Sequence, residues 1–251
     1  MRQVHVWLLR DPLSSDALLA NRASILSAEE LATLQSLPLA SSRVEFLAGR
    51  LLLRWALAER LQVAADALRF ERSASGRPRL TGTVGAQVHF SLSHTSGLVA
   101  CAVSCDGTLL GLDVENAARG RDKLEFARRH FGEAELAALR VASETQRARQ
   151  FVRLWALKES YVKARELGLA GLSHAEFELQ QRPWAAARFA HGNDDCAENW
   201  RFLNVSVFDT FELALSARTG GGALQCSVRQ ATANSLAESG ASSPFGTFAT
   251  A

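Results

Sequence analysis

The chain has 251 residues, 47% of them hydrophobic and 22% charged, with 28 basic against 26 acidic side chains. This composition excludes a wholly disordered chain, and the near balance of charge excludes a protein that coats nucleic acid without sequence preference. At roughly 150 residues per domain, the length predicts one large domain or two small ones. No run of about 18 apolar residues occurs, so no membrane-spanning helix is expected. Cys101, Cys105, Cys196 and Cys226 form no CxxC pair, which predicts small buried thiols in a reducing cytoplasm. The first apolar run meets Arg10 and Asp11 without a small-residue cleavage site, so no signal peptide is expected.

In chain order, Val4, Val6 and Leu8 alternate and predict a strand over 3–9. Ser27 followed by Glu29 and Glu30 predicts a helix over 27–36. A longer helix over 42–62 follows from the spacing of Leu47, Leu51, Leu57 and Leu61, and it also carries Arg43, Arg50 and Arg54. A short strand is expected at 66–70, then a Gly-Pro turn in the stretch SGRPRL (75–80). Residues 87–93 alternate as a strand, His94 to Gly97 read as a connection, and Leu98 to Val103 as the partner strand. Asp106-Gly107 makes a turn before a strand over 109–115. Helices are expected at 122–131, 133–141 and 144–167, the last closed by Gly168. Strands follow at 175–180, 200–208, 211–217 and 223–229. Residues 231–251 carry one charge, Glu238, among small polar residues, and predict a disordered tail. The pattern is α/β (α+β) with a long helix in each half, divided near Gly107 into 1–107 and 108–230.

Three features carry candidate chemistry. Asp113 and Glu115 lie two apart on a predicted strand and leave the same face, with Gly111 beside them to leave room for a ligand. Two like charges side by side repel unless a cation lies between them, and an oxygen-only donor set favours Mg²⁺. Two solvated carboxylates on a sheet edge is the alternative. Glu159 and Lys163 are four apart on a predicted helix, able to reach one ligand or simply each other. Arg77 and Arg79 on the Gly-Pro turn, with Ser93, His94, Thr95 and Ser96 at a strand end, suit phosphate oxygens. No Walker A loop, GxGxxG, GxSxG or HExxH occurs, which removes several enzyme classes.

In order, the chain carries EFLAGRLLLR (45–54), SGRPRL (75–80), FSLSHTSG (90–97), LGLDVE (110–115) and WALKESYVKARELGLAGL (155–172). This series resembles the 4′-phosphopantetheinyl transferases, in particular their larger pseudo-dimeric class. The resemblance implies two similar subdomains related by a pseudo-twofold, each a small antiparallel sheet packed on a long helix, with coenzyme A in the cleft between them. It implies transfer of the phosphopantetheine arm of coenzyme A to a serine of an apo acyl or peptidyl carrier protein, leaving adenosine 3′,5′-bisphosphate. Asp113, Glu115 and Glu159 match the metal carboxylates, for Mg²⁺ with Mn²⁺ as the alternative. Glu159 also matches the candidate base, and Lys163 the lysine that contacts the diphosphate. Arg43, Arg50, Arg77, Pro78, Ser93 and His94 match coenzyme A contacts, the 3′-phosphate and adenine side falling to 1–107. The class is further expected to be a cytoplasmic monomer with no nucleic acid or membrane partner. A basic cluster of Arg119, Arg121, Lys123, Arg128 and Arg129, with Phe126 and Phe131, is expected to dock the acidic carrier. The rival readings are another Mg²⁺-dependent phosphotransferase or a noncatalytic module that docks carrier proteins.

Overall fold

The structure is a computed structural model that describes residues 1–12, 25–73, 76–82, 87–120, 123–179, 183–190, 195–238 and 243–249. The chain divides into two compact units: an N-terminal unit of Gln3–Gly107 with Gln225–Ala249, and a central unit of Thr108–Leu224 with Met1–Arg2.

In the N-terminal unit, strand β1 (Arg2–Arg10) pairs antiparallel with β5 (Leu98–Ser104), and β5 with β4 (His89–Thr95). Strand β11 (Leu224–Ala231) lies on the other side of β1, and β12 (Ser243–Ala249) pairs antiparallel with β11. A separate hairpin joins β2 (Phe70–Arg72) to β3 (Pro78–Leu80). Helix α1 (Ala28–Ser36) opens with a capping box: Ser27 Oγ accepts from Glu30 N–H, and the Glu30 carboxylate accepts from Ser27 N–H. Helix α2 (Ala40–Leu61) buries Leu47, Leu51, Leu52 and Leu57 against Trp7 and Leu9 of β1 and Val99, Cys101 and Val103 of β5. That apolar stripe at helical spacing is what holds the helix to the sheet.

In the central unit, β6 (Leu109–Asn116) pairs with β10 (Phe211–Arg218), and β10 with β9 (Trp200–Val207). Strands β8 (Trp184–Phe189) and β7 (Ala175–Glu178) complete an antiparallel sheet of five. Helices α3 (Leu124–His130) and α4 (Glu133–Val141) lead to the long α5 (Glu144–Arg165). Its apolar side, with Phe151, Leu154, Leu157 and Tyr161, packs with Phe177, Trp200, Phe202 and Ala214 of the sheet. Each unit thus repeats one plan: a five-stranded sheet and a 22-residue helix.

Several expectations are corrected. Residues 65–67 form a 3₁₀ turn, and the short strand begins later, at Phe70. His94 and Thr95 continue β4, so only Ser96-Gly97 make the turn into β5. Helix α5 ends at Arg165 and is capped by Glu166, which adopts the left-handed conformation (φ 56°), two residues before Gly168. Strand β8 escapes sequence pattern because its WAAARF stretch is alanine-rich, and alanine has little strand preference. Strand β11 returns to the N-terminal unit, so that unit does not close at residue 107. Within 231–251, read as a disordered tail, the chain forms helix α6 (Ala233–Glu238) and β12; ladder pairing with β11 supplies the order that composition does not reveal.

Candidate active site

The central unit brings the acidic candidates together. On β6 the pleat sends Gly111, Asp113 and Glu115 to one face, opposite Ser216, Ala214 and Glu212 of β10 in direct register. Helix α5 lies on this face at very short range. A Cβ on Gly111 would collide with Ser160 O and come within 2.5 Å of Ala164 N. Ser160 Oγ and Ser216 Oγ are hydrogen-bonded at 2.7 Å across the same contact. The absent side chain of Gly111 therefore makes room for the helix backbone and not for a ligand, which corrects the sequence expectation.

This close approach sets the geometry of the charges. Lys163 Nζ stands 2.6 Å from Asp113 Oδ1, and the Asp113 side chain is 6% exposed. Glu159 lies one helical turn before Lys163. Burial pushes its carboxyl above the usual range and the Asp113 charge adds to that, while Lys163 opposes both. Glu115 is raised in the same way, by burial and then Asp113, with Arg119 and Lys163 opposing. Arg119 Nη1 is 3.4 Å from Glu115 Oε2, four residues along the chain. The three carboxylates thus form one electrostatic unit around Asp113.

An all-oxygen, anionic donor set of this kind fits a hard divalent cation by charge and ligand type. As the side chains stand, no group of three or more His, Cys, Asp or Glu among the described residues is arranged to hold a metal ion. Among the described residues, Lys163 faces Asp113 and Arg119 faces Glu115.

Beside Glu115 opens a pocket of about 440 Å³, lined also by Arg119, Lys123, Phe126, Phe151, Val152 and Trp155. Trp155 precedes Glu159 by four residues, as Glu159 precedes Lys163, and this spacing is the signal that places it on the site's side of α5. Phe126 is 39% exposed and stacks edge-on to Trp155 at 5.1 Å. Phe131 is buried and stacked on Phe151 at 5.2 Å, so it belongs to the core and not to a docking surface. Lys123, Arg128 and Arg129 are exposed on and beside α3, where Arg128 pairs with Glu125. Arg121 lies outside the described residues.

Lys158, next to Glu159, points away from this site. It is 1% exposed, 2.9 Å from Glu135 Oε2, and donates to Leu172 O at 3.1 Å and Ala175 O at 2.6 Å.

The other candidates belong to the N-terminal unit. Arg77 sits on the β2–β3 turn, where its N–H donates to Ser73 Oγ at 3.2 Å and its carbonyl accepts from Ser73 N–H at 2.7 Å. Pro78 begins β3 opposite Arg72. Ser93 and His94 are adjacent on β4: Ser93 is buried, whereas the His94 side chain is 61% exposed with Nε2 3.8 Å from Glu45 Oε2. Glu45 had no role in the sequence reading. Arg43 caps the preceding helix, donating to Leu37 O at 2.7 Å and Pro38 O at 3.2 Å. Arg50 lies 3.7 Å from Glu30 Oε1 and over the Phe46 ring at 4.9 Å. Buried Arg54 shares that glutamate at 2.7 Å. Arg43 and Arg50 thus hold α1 and α2 together, a structural task that the basic pattern of α2 did not reveal.

Carboxylates of the type that suits a hard cation, beside an ammonium, are chemistry compatible with phosphate esters. Residues 109–216 match the 4′-phosphopantetheinyl transferase superfamily, and residues 11–106 match the N-terminal domain of 4′-phosphopantetheinyl transferases. The chain is 33% identical over 179 residues to 4′-phosphopantetheinyl transferase HetI of Nostoc sp., covering 70% of this chain and 74% of that protein. It is 28% identical to the L-aminoadipate-semialdehyde dehydrogenase-phosphopantetheinyl transferase of Xenopus laevis, over 68% of this chain and 61% of the relative. It is 30% identical to 4′-phosphopantetheinyl transferase Sfp of Bacillus subtilis, over 49% and 53%. The chain belongs to the 4′-phosphopantetheinyl transferase superfamily and is an enzyme of that class.

Proposed function

We propose that this enzyme transfers the 4′-phosphopantetheine arm of coenzyme A to a serine hydroxyl of an apo acyl or peptidyl carrier protein, in a Mg²⁺-dependent reaction that leaves adenosine 3′,5′-bisphosphate. The observation that carries this reading is the meeting of Asp113 and Glu115, from one face of β6, with Glu159 and Lys163, from one face of α5.

Asp113, Glu115 and Glu159 would hold Mg²⁺, with Mn²⁺ as the alternative; the bound ion supplies charge neutralisation on the pyrophosphate. Glu159 is also assigned to accept the serine proton, directly or through a water. The serine oxygen forms its bond to the β-phosphorus as the bond to the bridging oxygen breaks. Lys163 stabilises the departing bisphosphate.

Arg77, Pro78, Ser93 and His94, with Arg43 and Arg50, are assigned to coenzyme A. The exposed and largely unshielded His94 is the strongest of these candidates, and the engaged Arg43 and Arg50 the weakest. The acidic carrier is assigned to Arg119, Lys123, Arg128, Arg129 and Phe126, whose charge is complementary to it. The reaction is assigned to the cytoplasm and to a monomer, without nucleic acid or membrane. Cys101 and Cys226 are buried, whereas Cys105 is half-buried and Cys196 exposed, against the expectation of four buried thiols; no described helix is long and apolar enough to cross a membrane.

The test is intact-protein mass spectrometry of an apo carrier incubated with enzyme, coenzyme A and Mg²⁺. A gain of one phosphopantetheine arm is expected, lost with EDTA and with Glu159→Gln. No gain on fatty acid, polyketide and peptide carriers, together with no thermal protection by coenzyme A, overturns the reading.

A further inference from the structure

We infer that Lys163 is the built-in counter-ion of the carboxylate cluster, held on Asp113 until a divalent cation displaces it. This inference rests on the metal-ligand reading of Asp113, Glu115 and Glu159 given above and adds a second role for the lysine.

The geometry is specific. Lys163 Nζ stands 2.6 Å from Asp113 Oδ1, with the lysine side chain 29% exposed and the aspartate 6%. An ammonium at that distance occupies the side of the oxygen that a cation would use. Its position is imposed by the fold, because the helix that carries it is packed backbone-to-backbone on β6 at Gly111. Its charge also reaches Glu115 and Glu159, opposing the rise of both carboxyls. Lys163 thus bears on all three acids, and Arg119 lies 3.4 Å from Glu115.

Three neighbouring carboxylates repel, and a half-buried cluster without a cation would be costly. Lys163 relieves that cost within the chain. A divalent ion brought to the same oxygens would face a positive charge a few ångströms away, so loading requires Nζ to leave Oδ1. The flexible four-carbon stem and partial exposure of Lys163 permit that movement. The displaced ammonium is then available to an anionic group of the substrate. Cation loading and diphosphate recognition are thereby coupled through one side chain, which has a distinct partner in each state.

The experiment is a Mn²⁺ titration of the full chain without coenzyme A, read from the electron paramagnetic resonance signal of free Mn²⁺. Removing one charge at this range should tighten binding at least about fivefold in Lys163→Met, while Lys163→Arg stays within about twofold of wild type. Equal or weaker binding by Lys163→Met overturns the exchange. Asp113→Asn separates the two readings: weakened Mn²⁺ binding supports the metal site, and wild-type binding overturns the site itself. A measurement on the wild-type protein removes any dependence on folding of the variants. The ¹⁵Nζ resonance of Lys163 should move when Mg²⁺ replaces EDTA, and a resonance that stays in place overturns the inference.

Discussion

Lys158 Nζ stands 2.9 Å from Glu135 Oε2, and both side chains are sealed from solvent. The pair ties three elements together. Glu135 accepts from Gly132 N–H at the start of α4 and from Phe177 N–H in β7, and Lys158 donates to Leu172 O and Ala175 O. Burial pulls the lysine down and pushes the glutamate up, and each partner's charge opposes the shift of the other. The next residue along α5 is Glu159, so this strut sets the rotation of the helix that presents the site. Lys158→Met should cost about 3–5 kcal/mol, because it strands a buried carboxylate. The double variant Lys158→Met with Glu135→Leu should recover most of that. Urea unfolding of the single and double variants checks it; a double variant no better than the single refutes the account.

The glycine at 111 permits the approach of α5 to β6. Gly111→Ala should destabilise by about 2–3 kcal/mol or more and reduce transfer, since strand and helix must move apart. Gly49→Ala is the matched control. Its Cβ would meet only Val99 Cγ1 at 3.8 Å, inside a helix, so a gain of about 0.5–1 kcal/mol is expected. Thermal unfolding of both variants decides the point.

His5 provides a pH signature in the N-terminal unit. Its ring accepts or donates at Ser227 Oγ (2.7 Å), and burial, with Arg60 and Arg229 nearby, lowers its pKa to about 4 from 6.5. The fold therefore holds this histidine neutral. Its contribution is fully present above pH 6.5 and is lost as pH falls through about 4, because the unfolded chain takes up the proton first. His5→Asn should flatten the decline of Tm across that window relative to wild type. An unchanged slope shows that His5 is not responsible.

Arg43 and His94 should separate in their effects. Arg43 satisfies two carbonyls at the α1–α2 junction, so Arg43→Gln should lower Tm by several degrees, and change KM for coenzyme A by less than about threefold. His94 is largely exposed, so His94→Ala should leave Tm nearly unchanged and raise KM for coenzyme A by about tenfold. The opposite pattern would exchange their roles.

Much of this molecule is legible in local pattern. The alternation around Asp113 and Glu115 and the i, i+4 spacing of Glu159 and Lys163 put each pair on one face before any tertiary contact is known, because strand and helix periods are properties of the backbone. Ser27 with Glu30 marks the start of α1 for the same local reason, and the ordered motifs point to the family. What those residues do to one another is not local. Lys163 pairs across 50 residues with Asp113, Gly111 admits a helix and not a ligand, and Lys158 turns to the core while its neighbour faces the site. Arg43 and Arg50 match coenzyme A contacts in the ordered motifs, and only packing shows their partners on and beside α1. Strands β8 and β12 are weak formers alone and gain order by pairing. Spacing along a chain sets the direction in which a side chain leaves its own element; packing between elements decides which charge, carbonyl or backbone waits there.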